Sequence, residues 1–384
     1  MKNVLIVCGG KSYEHDISVV TAAQIYSRTR LNDVNLKILY ISRDNHFFIY
    51  NNQKVDIKDF SKGRFNSASK NFKEVFFVSS EKGKIFVRSM FGLKEFMCVT
   101  TAIVCCHGNA GEDGRVVSFL ESMGIKCSSG NFDSLAICMN KFLFKQCMKG
   151  DNIPVVRGFL ITKQTFDEDK ELILLKLRLM KYPVVLKPNS GGSSIGLFIA
   201  NSEEEFLKNL QSAFEFEDDV VVEKFVSGAR EFNVAIIGNK YSYEISDVDE
   251  PIKNNEVLTF ADKYLSGNGA KKVSKMEKGS MASSARKLPA DIDEKLTDLI
   301  KKTAEKVFVD LSLVGVVRID FLYDEANEKL YVCEVNAVPG SLSYYFFNHG
   351  KFLLNDFVLK LIDLAETKQN KDDKINSDFV TSVL

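Results

Sequence analysis

"VVRIDFLYDEANEKLYVCEVNAVPGS", residues 316 to 341, reads as two apolar strands around a polar turn. Centring that turn on Asn327 sets Asp320 opposite Glu334 and Arg318 opposite Asn336. Side chains alternate in direction along a strand, so all four share one face. Like charges directly opposite cost about 0.2–1 kcal/mol in an exposed sheet, and more when buried. Two facing carboxylates therefore invite a compensating cation. Magnesium takes hard oxygen ligands, one or two carboxylates plus substrate phosphates, and Asp320, Glu334 and the Asn336 carbonyl form such a set. Arg318 keeps its proton at any working pH and can meet phosphate or an oxyanion. The competing reading is a register slipped by one, or a solvated face. "NAVPGS" then makes a turn whose N–H groups can touch a substrate.

Composition frames that hairpin. The 384 residues allow two or three domains. With 51 basic and 51 acidic residues the net charge is zero, so no global basic field points to nucleic acid. The apolar run from Val4 to Gly9 is too short for a signal-peptide core, and no run approaches a membrane span. The eight cysteines include no CxxC and sit mostly in apolar contexts such as "AIVCCHG". That usage points to free buried thiols and a cytoplasmic chain. Four His and no HExxH argue against zinc.

Along the chain, "KNVLIVCGGKS" is a buried-type strand ending in a glycine turn. "DISVVTAAQIYSRTR" follows with helical periodicity, then "VNLKILYIS" as a second strand: a βαβ start that predicts a parallel sheet. Residues 51–95 are irregular with weak strands. "VTTAIVCCHG" is another buried strand, and a boundary falls near 128–133. One helix is predicted from about Ser134 toward Lys149. "YPVVLKPNSGGSSIGLFIA" reads as strand, loop, strand, and "DDVVVEKFVSGAREFNVAIIG" as two more strands. The polar stretch 253–287 reads as a mobile loop, residues 351–366 as a last helix, and "KQNKDDKINSD" as a solvated tail.

Several loops carry candidate chemistry. Backbone N–H groups in "CGGKSYEHDIS", between strand and helix, favour an anion; Glu14 there either complements the helix dipole or holds a substrate ammonium. "CHGNAGEDG" ends a strand where ligands collect in open parallel sheets, although His107 alone tells little. "LKPNSGGSSIG" is rich in N–H and hydroxyl donors suited to phosphate, with Lys187 on the strand leading in, and it is not a Walker A loop. "VVVEKFVSGARE" puts Glu223 and Glu231 on either side of a bend, where a strand edge can imitate base pairing to adenine and a carboxylate can take ribose hydroxyls.

In order, these pieces resemble the ATP-grasp superfamily, and within it the D-alanine–D-alanine ligases. The strings "GGKSYEHDIS", "HGNAGEDG", "MNKFLFKQ", "VLKPNSGGSSIG", "VEKFVSGAREFNVAI", "KYL", "RIDF" and "EVNAVPGS" carry the resemblance from residue 3 to about 347. It implies an α/β, three-domain ATP-grasp architecture: a parallel-sheet domain (1–129), a central subdomain (130–223), a C-terminal subdomain (224–366) with a lid at 253–287, and a polar tail (367–384). ATP would lie between the second and third domains. Lys141 and Lys187 would contact phosphates, and the loop of Ser193 and Ser194 would close over them. Glu223, Lys224 and Val226 would meet adenine, the last two partly through backbone, and Glu231 the ribose. Asp320, Glu334 and Asn336 would bind two Mg²⁺ (or Mn²⁺). Glu14, in a set with Ser193 and Tyr264, would hold the ammonium of the first D-alanine, with His107 nearby. Arg318 and the backbone at Gly340 would stabilise the oxyanion, and Lys263 would reach phosphate from the lid.

The resemblance further implies an acyl phosphate, attack on it by a second D-alanine, a product for peptidoglycan, and a homodimer. Family members often carry a Y-D-Y run before the lid lysine, where this chain has "LTFADKYL". After "PGS" many place a serine for the second carboxylate, where this chain has "LSYYFF", leaving Ser343 or Tyr345. The alternatives are a ligase joining D-alanine to D-serine or D-lactate, and a nucleotide-binding sensor without chemistry. A nicotinamide dehydrogenase is disfavoured because the first turn lacks the dinucleotide fingerprint.

Overall fold

Val4, Leu5, Ile6 and Val7 run without a polar interruption, which demands a strand covered on both faces, and all four are fully buried. They lie in β1 (Lys2–Gly9), inside a six-stranded sheet with β2 (Val34–Ile41), β3 (Phe47–Tyr50), β4 (Phe72–Val75), β7 (Thr101–Val104) and β8 (Lys126–Cys127). The computed structural model describes residues 1–192, 195–252, 285–347 and 352–368. The sheet order is β4-β3-β2-β1-β7-β8. Its β2-β1-β7-β8 part is parallel, as the βαβ reading predicts, and β3 and β4 extend it antiparallel. The helix α1 (His15–Arg28) leaves the glycine turn after β1. Between β4 and β7 the chain forms a hairpin of β5 (Lys84–Ser89) and β6 (Gly92–Cys98), and α2 (Arg115–Ser122) precedes β8.

The predicted single helix from 134 to 149 is two helices, α3 (Phe132–Met139) and α4 (Lys141–Gly150). Asn140 breaks it: its backbone is extended at φ −86°, ψ 100°, and its side chain accepts from the Leu143 N–H as a helix cap. The break puts Asn140 beside Ser190 as an isolated bridge, bringing the start of α4 onto the glycine-serine loop.

The second sheet is antiparallel, ordered β11-β10-β12-β9, from β9 (Gly158–Thr162), β10 (Val184–Pro188), β11 (Phe198–Ala200) and β12 (Asp219–Lys224). Val184, Leu186, Val220 and Val222 turn one face into a core with Leu174, Leu177, Phe206 and Leu210, contributed by α6 (Lys170–Met180) and α7 (Glu203–Phe214); a short α5 (Lys163–Glu168) precedes them. The alternate residues Val185, Lys187, Val221 and Glu223 therefore share the opposite face.

The third sheet is ordered β14-β13-β17-β18: β13 (Arg230–Asn239), β14 (Ser242–Ile245), β17 (Gly315–Asp324) and β18 (Lys329–Asn336). The helix α8 (Glu294–Asp310) packs on β13, and α9 (Leu354–Thr367) on β7 and β17. One buried cluster runs through the first and third sheets and includes Leu135, Phe144 and Met148 of α3 and α4. The join is close: Gly315 has φ +92°, and a Cβ there would lie 2.0 Å from the Ser128 carbonyl oxygen, so only glycine lets β17 pass.

Two sequence-based boundaries shift. The stretch 253–287 ends in order: Arg286 and Lys287 form β16, antiparallel to β15 (Glu250–Pro251). The residues 253–284, including Lys263 and Tyr264, lie outside those described. Thr367, the first residue of the expected tail, ends α9, and residues 369–384 lie outside those described. Lys368 is held by Glu121 at 2.6 Å and by the Ser129 and Gly130 carbonyls at 2.9 and 3.1 Å, which pins the end of α9 to the first domain.

Candidate active site

The hairpin at the centre of the sequence argument pairs Arg318 with Asn336 and Asp320 with Glu334. It gets there by a different route. The turn pairs Asp324 with Lys329, half a residue away from a centre at Asn327, and a β-bulge between Phe321 and Asp320 restores the register by giving β18 one extra residue, Cys333. On the other side of β17, Ala235, Asn233 and Glu231 of β13 face Arg318, Asp320 and Leu322. Glu231 thus shares the polar face although it lies some 90 residues earlier, about the separation the register itself fixes.

Asp320 has a counter-charge within the chain. The Arg318 guanidinium clamps Asp320 through Nε at 2.7 Å and Nη2 at 2.8 Å, and the Asn336 amide donates to Asp320 at 3.0 Å. Among the described residues no group of three or more His, Cys, Asp and Glu could hold a metal by itself. Two carboxylates and an amide oxygen on one face still fit a hard cation that takes its remaining oxygens from phosphates. They do not fit a cation caged wholly by protein.

Opposite this face lies the polar side of the second sheet. Glu223 is 3% exposed and takes Lys187 and Lys145, each at 2.9 Å. Lys141 and Lys145 are four apart on α4, on one helix face, and Lys141 donates to the Gly191 carbonyl. Burial alone would raise the Glu223 carboxyl, but Lys145 and Lys187 overcome it and hold the group down at about 2. Burial works against the charge of Lys187 too, and Glu223 reverses it, keeping the ammonium protonated. Burial lowers Lys141, while Glu334 and Glu217 pull it back up. Glu334 acts on both Lys141 and Lys187, so Lys141 of α4, Lys187 of the second sheet and the acids of the third border one space. The Glu223 carboxylate is spent on these lysines. The Lys224 ammonium is likewise caught by the carbonyls of Lys181, Tyr182 and Pro183 at 3.1–3.3 Å.

The third wall comes from the first domain. Glu14 is 6% exposed at the start of α1, and a Cβ on Gly192 would meet its Oε2 at 2.5 Å. Glycine at 192 therefore lets the glycine-serine loop sit directly on this carboxylate; Ser193 and Ser194, the next two residues, are outside those described. His107 is 2% exposed with both ring nitrogens used: Nδ1–H donates to the Val338 carbonyl at 2.5 Å and Nε2 accepts from Thr21 at 2.9 Å. Burial lowers its pKa despite Glu14, so the ring is neutral. Thr21 in turn accepts from the Ser341 N–H at 3.1 Å.

Glu112 closes the clamp. Its oxygens accept from Gly108 N at 2.7 Å and Val338 N at 3.1 Å, so Glu112 and His107 hold the N–H and the carbonyl of one residue, Val338, in "NAVPGS". Burial, then Glu14, push this carboxyl up to about 8 from 4.5. Between those values the folded chain keeps a proton that the unfolded chain has released, so stability falls as pH rises through the window. In Glu112→Gln the loss of thermal stability between about pH 5 and pH 8.5 should shrink by about 4 °C or more; a wild-type pH dependence in that variant would contradict the assignment.

Beyond Gly340, Ser341, Leu342 and Ser343 are all left-handed, with φ of 53°, 46° and 48°. Such a run costs about 1–2 kcal/mol per residue. The hydroxyls of Ser341, Ser343 and Tyr345 are buried without a hydrogen-bond partner among the described residues. Of the residues singled out from sequence, Glu14, His107, Lys141, Lys187, Glu223, Glu231, Arg318, Asp320, Glu334, Asn336, Gly340, Ser343 and Tyr345 line or back these three walls, while Ser193, Ser194, Lys263 and Tyr264 are not described. Sequence reasoning missed Lys145, Glu112 and Thr21. The i, i+4 spacing of Lys141 and Lys145 was the available signal for the first; Thr21 looks like any helix residue.

Comparison with known proteins gives a consistent result. A family profile described as "D-ala D-ala ligase C-terminus" matches residues 147–350, and one described as "D-ala D-ala ligase N-terminus" matches 3–130. A D-alanine–D-alanine ligase of Thermosipho africanus is 32% identical over 378 residues, 98% of this chain and 97% of that protein. One of Sulfurovum sp. is 32% identical over 345 residues, 90% and 89%. Among solved structures, the D-alanine-D-alanine ligase of Coxiella burnetii aligns with a TM-score of 0.76 at 21% identity, covering 95% of this chain and 93% of that one. The VanG D-Ala:D-Ser ligase of Enterococcus faecalis aligns at 0.75 and 23%, covering 95% and 99%. These two likenesses concern the fold, which is common to ligases named for different acceptors.

Proposed function

This chain belongs to the D-alanine–D-alanine ligase family, and we propose that it joins two D-alanines to D-alanyl-D-alanine at the expense of ATP, for cell-wall peptidoglycan. The observation that carries the reading is the shared space between Lys141 and Lys187 on one side and Arg318, Asp320, Glu334 and Asn336 on the other. A carboxylate is a poor electrophile, so its condensation with an amine needs activation. The first D-alanine carboxylate attacks the γ-phosphorus of ATP, the bond to the β-phosphate oxygen breaks, and ADP leaves as the acyl phosphate forms. The amine of the second attacks that carbonyl and phosphate leaves.

The residues divide the work. Lys187, kept charged by Glu223, and Lys141 balance the phosphates. Glu14 takes the ammonium of the first D-alanine. Arg318, oriented by its two hydrogen bonds to Asp320, and the Gly340 backbone meet charge developing on the carbonyl oxygen. Glu231 and backbone at 223–226 bind the nucleoside. Asp320, Glu334 and Asn336 would hold two magnesium ions, which supply charge neutralisation of the transferring group. His107 and Glu112 fix the peptide leading to Gly340.

No helix among the described residues is long and apolar enough to cross a membrane; with the cysteine usage this supports a cytoplasmic enzyme, and by family a homodimer, acting on small molecules. We further propose three working units: the first sheet, the second sheet, and the third sheet with its hairpin. Purified protein with ATP, magnesium and D-alanine should release phosphate and dipeptide only when D-alanine is present. Release that depends on D-serine or D-lactate instead reassigns the acceptor. ATP binding without turnover on any acceptor rejects the ligase reading.

A further inference from the structure

We infer that Asp249 and Arg286 are a positioning pair that sets Tyr345 against the carboxylate of the acceptor amino acid. The inference rests on the ligase reading above, in which Tyr345 is one of two hydroxyls the family resemblance offers to that carboxylate; what is new is the part of Asp249 and Arg286, to which neither sequence motif nor family likeness has given a role.

Asp249 is fully buried against β13, where it exchanges backbone hydrogen bonds with Asn233 at 2.8 and 2.9 Å. Asn233 is the β13 residue opposite Asp320, so Asp249 stands one residue behind the proposed cation site. Its Oδ2 accepts from Arg286 Nη1 at 3.1 Å. Arg286 is fixed from the other side by the β15–β16 ladder, paired with Pro251. Its guanidinium carbon lies 4.2 Å from the centroid of the Tyr345 ring, the distance of a planar cation on an aromatic face.

That stack holds the ring while its hydroxyl remains unanswered. The Tyr345 hydroxyl is buried without a partner among the described residues, and so are those of Ser343 and Ser341. Buried hydroxyls are satisfied in native proteins as a rule. Three orphans within five residues, on a left-handed backbone, mark a place where ligand atoms complete the bonding. A hydroxyl donates well to a carboxylate, and every acceptor this chemistry would use carries one. The plainer account is that Arg286 only neutralises Asp249. The two accounts differ over shape: lysine can neutralise Asp249 but presents no flat face to Tyr345.

The test is initial-rate kinetics of Arg286→Lys, Tyr345→Phe and the double variant, with the Michaelis constants of ATP, donor D-alanine and acceptor D-alanine resolved. Each single change should raise the acceptor constant by about tenfold or more, the loss of one hydrogen bond to a charged group, with the other two constants within about twofold. The double variant should be no worse than the worse single, because both remove one interaction. The preference for D-alanine over D-alaninamide as acceptor, which tests the carboxylate itself, should fall in parallel. A wild-type acceptor constant in Arg286→Lys, or a uniform rise of all three, overturns the inference. Should Arg286→Lys fail to fold, Asp249→Asn with Arg286→Gln leaves the buried pair neutral, and the same acceptor-specific loss is expected there; its absence overturns the inference equally. A wild-type protein that releases no phosphate with D-alanine removes the ligase reading and this inference with it. A wild-type protein that turns over, with variants unchanged in acceptor constant, removes the inference alone.

Discussion

Glu334→Gln is expected to cut D-alanine-dependent phosphate release by on the order of 10³-fold or more while the chain still folds. The substitution keeps size and shape and removes one charge. Glu334 is only part-buried on the hairpin face, and it pulls on Lys141 and Lys187 across the space where phosphates would lie. Without its charge, those lysines and any phosphate-borne cation lose a fixed counter-charge positioned before the reaction starts. Asp320 cannot replace the lost counter-charge, because its own is already balanced by Arg318. Circular dichroism and the thermal midpoint should stay close to wild type, since β17–β18 pairing does not depend on this side chain. Near-normal turnover in a folded Glu334→Gln protein would remove the residue from the reaction and leave the hairpin face a structural feature.

The hairpin shows what a sequence gives away and what it hides. Alternation along β17 and β18 fixes which residues share a face, so Arg318, Asp320, Glu334 and Asn336 are legible together. The bulge at Cys333 is not: nothing in "LYVCEVN" distinguishes an extra residue from a regular one, and the correct pairs result from a turn centre and a bulge that offset each other. Repulsion between the acids points to a cation; the pairing of Arg318 with Asp320, two residues away on the same strand face, adds a counter-charge which that argument left out. The break at Asn140 was available from its capping chemistry, but the apolar periodicity of "SLAICMNKFLFKQCM" runs through it and favours one helix. Clamps made across long separations leave the faintest trace. His107 and Glu112 reach Val338 more than 200 residues away, and Glu112 reads locally as one acid in a polar loop. Lys263, Tyr264, Ser193 and Ser194 lie outside the described residues, and the roles expected of them rest on motif alone.

Glu223→Gln should lower folding stability by about 3–5 kcal/mol at neutral pH, the usual result of removing one partner from a buried ion group. The Lys145 and Lys187 side chains are 4% and 14% exposed and share this single carboxylate. Glutamine fills the same volume but leaves two ammonium groups facing each other in a site too dry to solvate them. The pH dependence identifies the cause. The folded carboxyl sits at about 2 against 4.5 in a free chain, so its contribution is complete above about pH 4.5 and vanishes as pH falls through 2. That shift corresponds to about 3 kcal/mol, in line with the loss expected from breaking the group. Urea titrations should therefore show wild type and variant far apart at pH 7 and converging toward pH 2. Replacing Lys145 by methionine in the same chain should recover part of the loss, since it removes one of the stranded charges and keeps the packing. Equal stabilities at pH 7, or a gap that persists undiminished at the acid end, would mean that the three side chains do not act as one ion group and that Lys187 is held in place by something else.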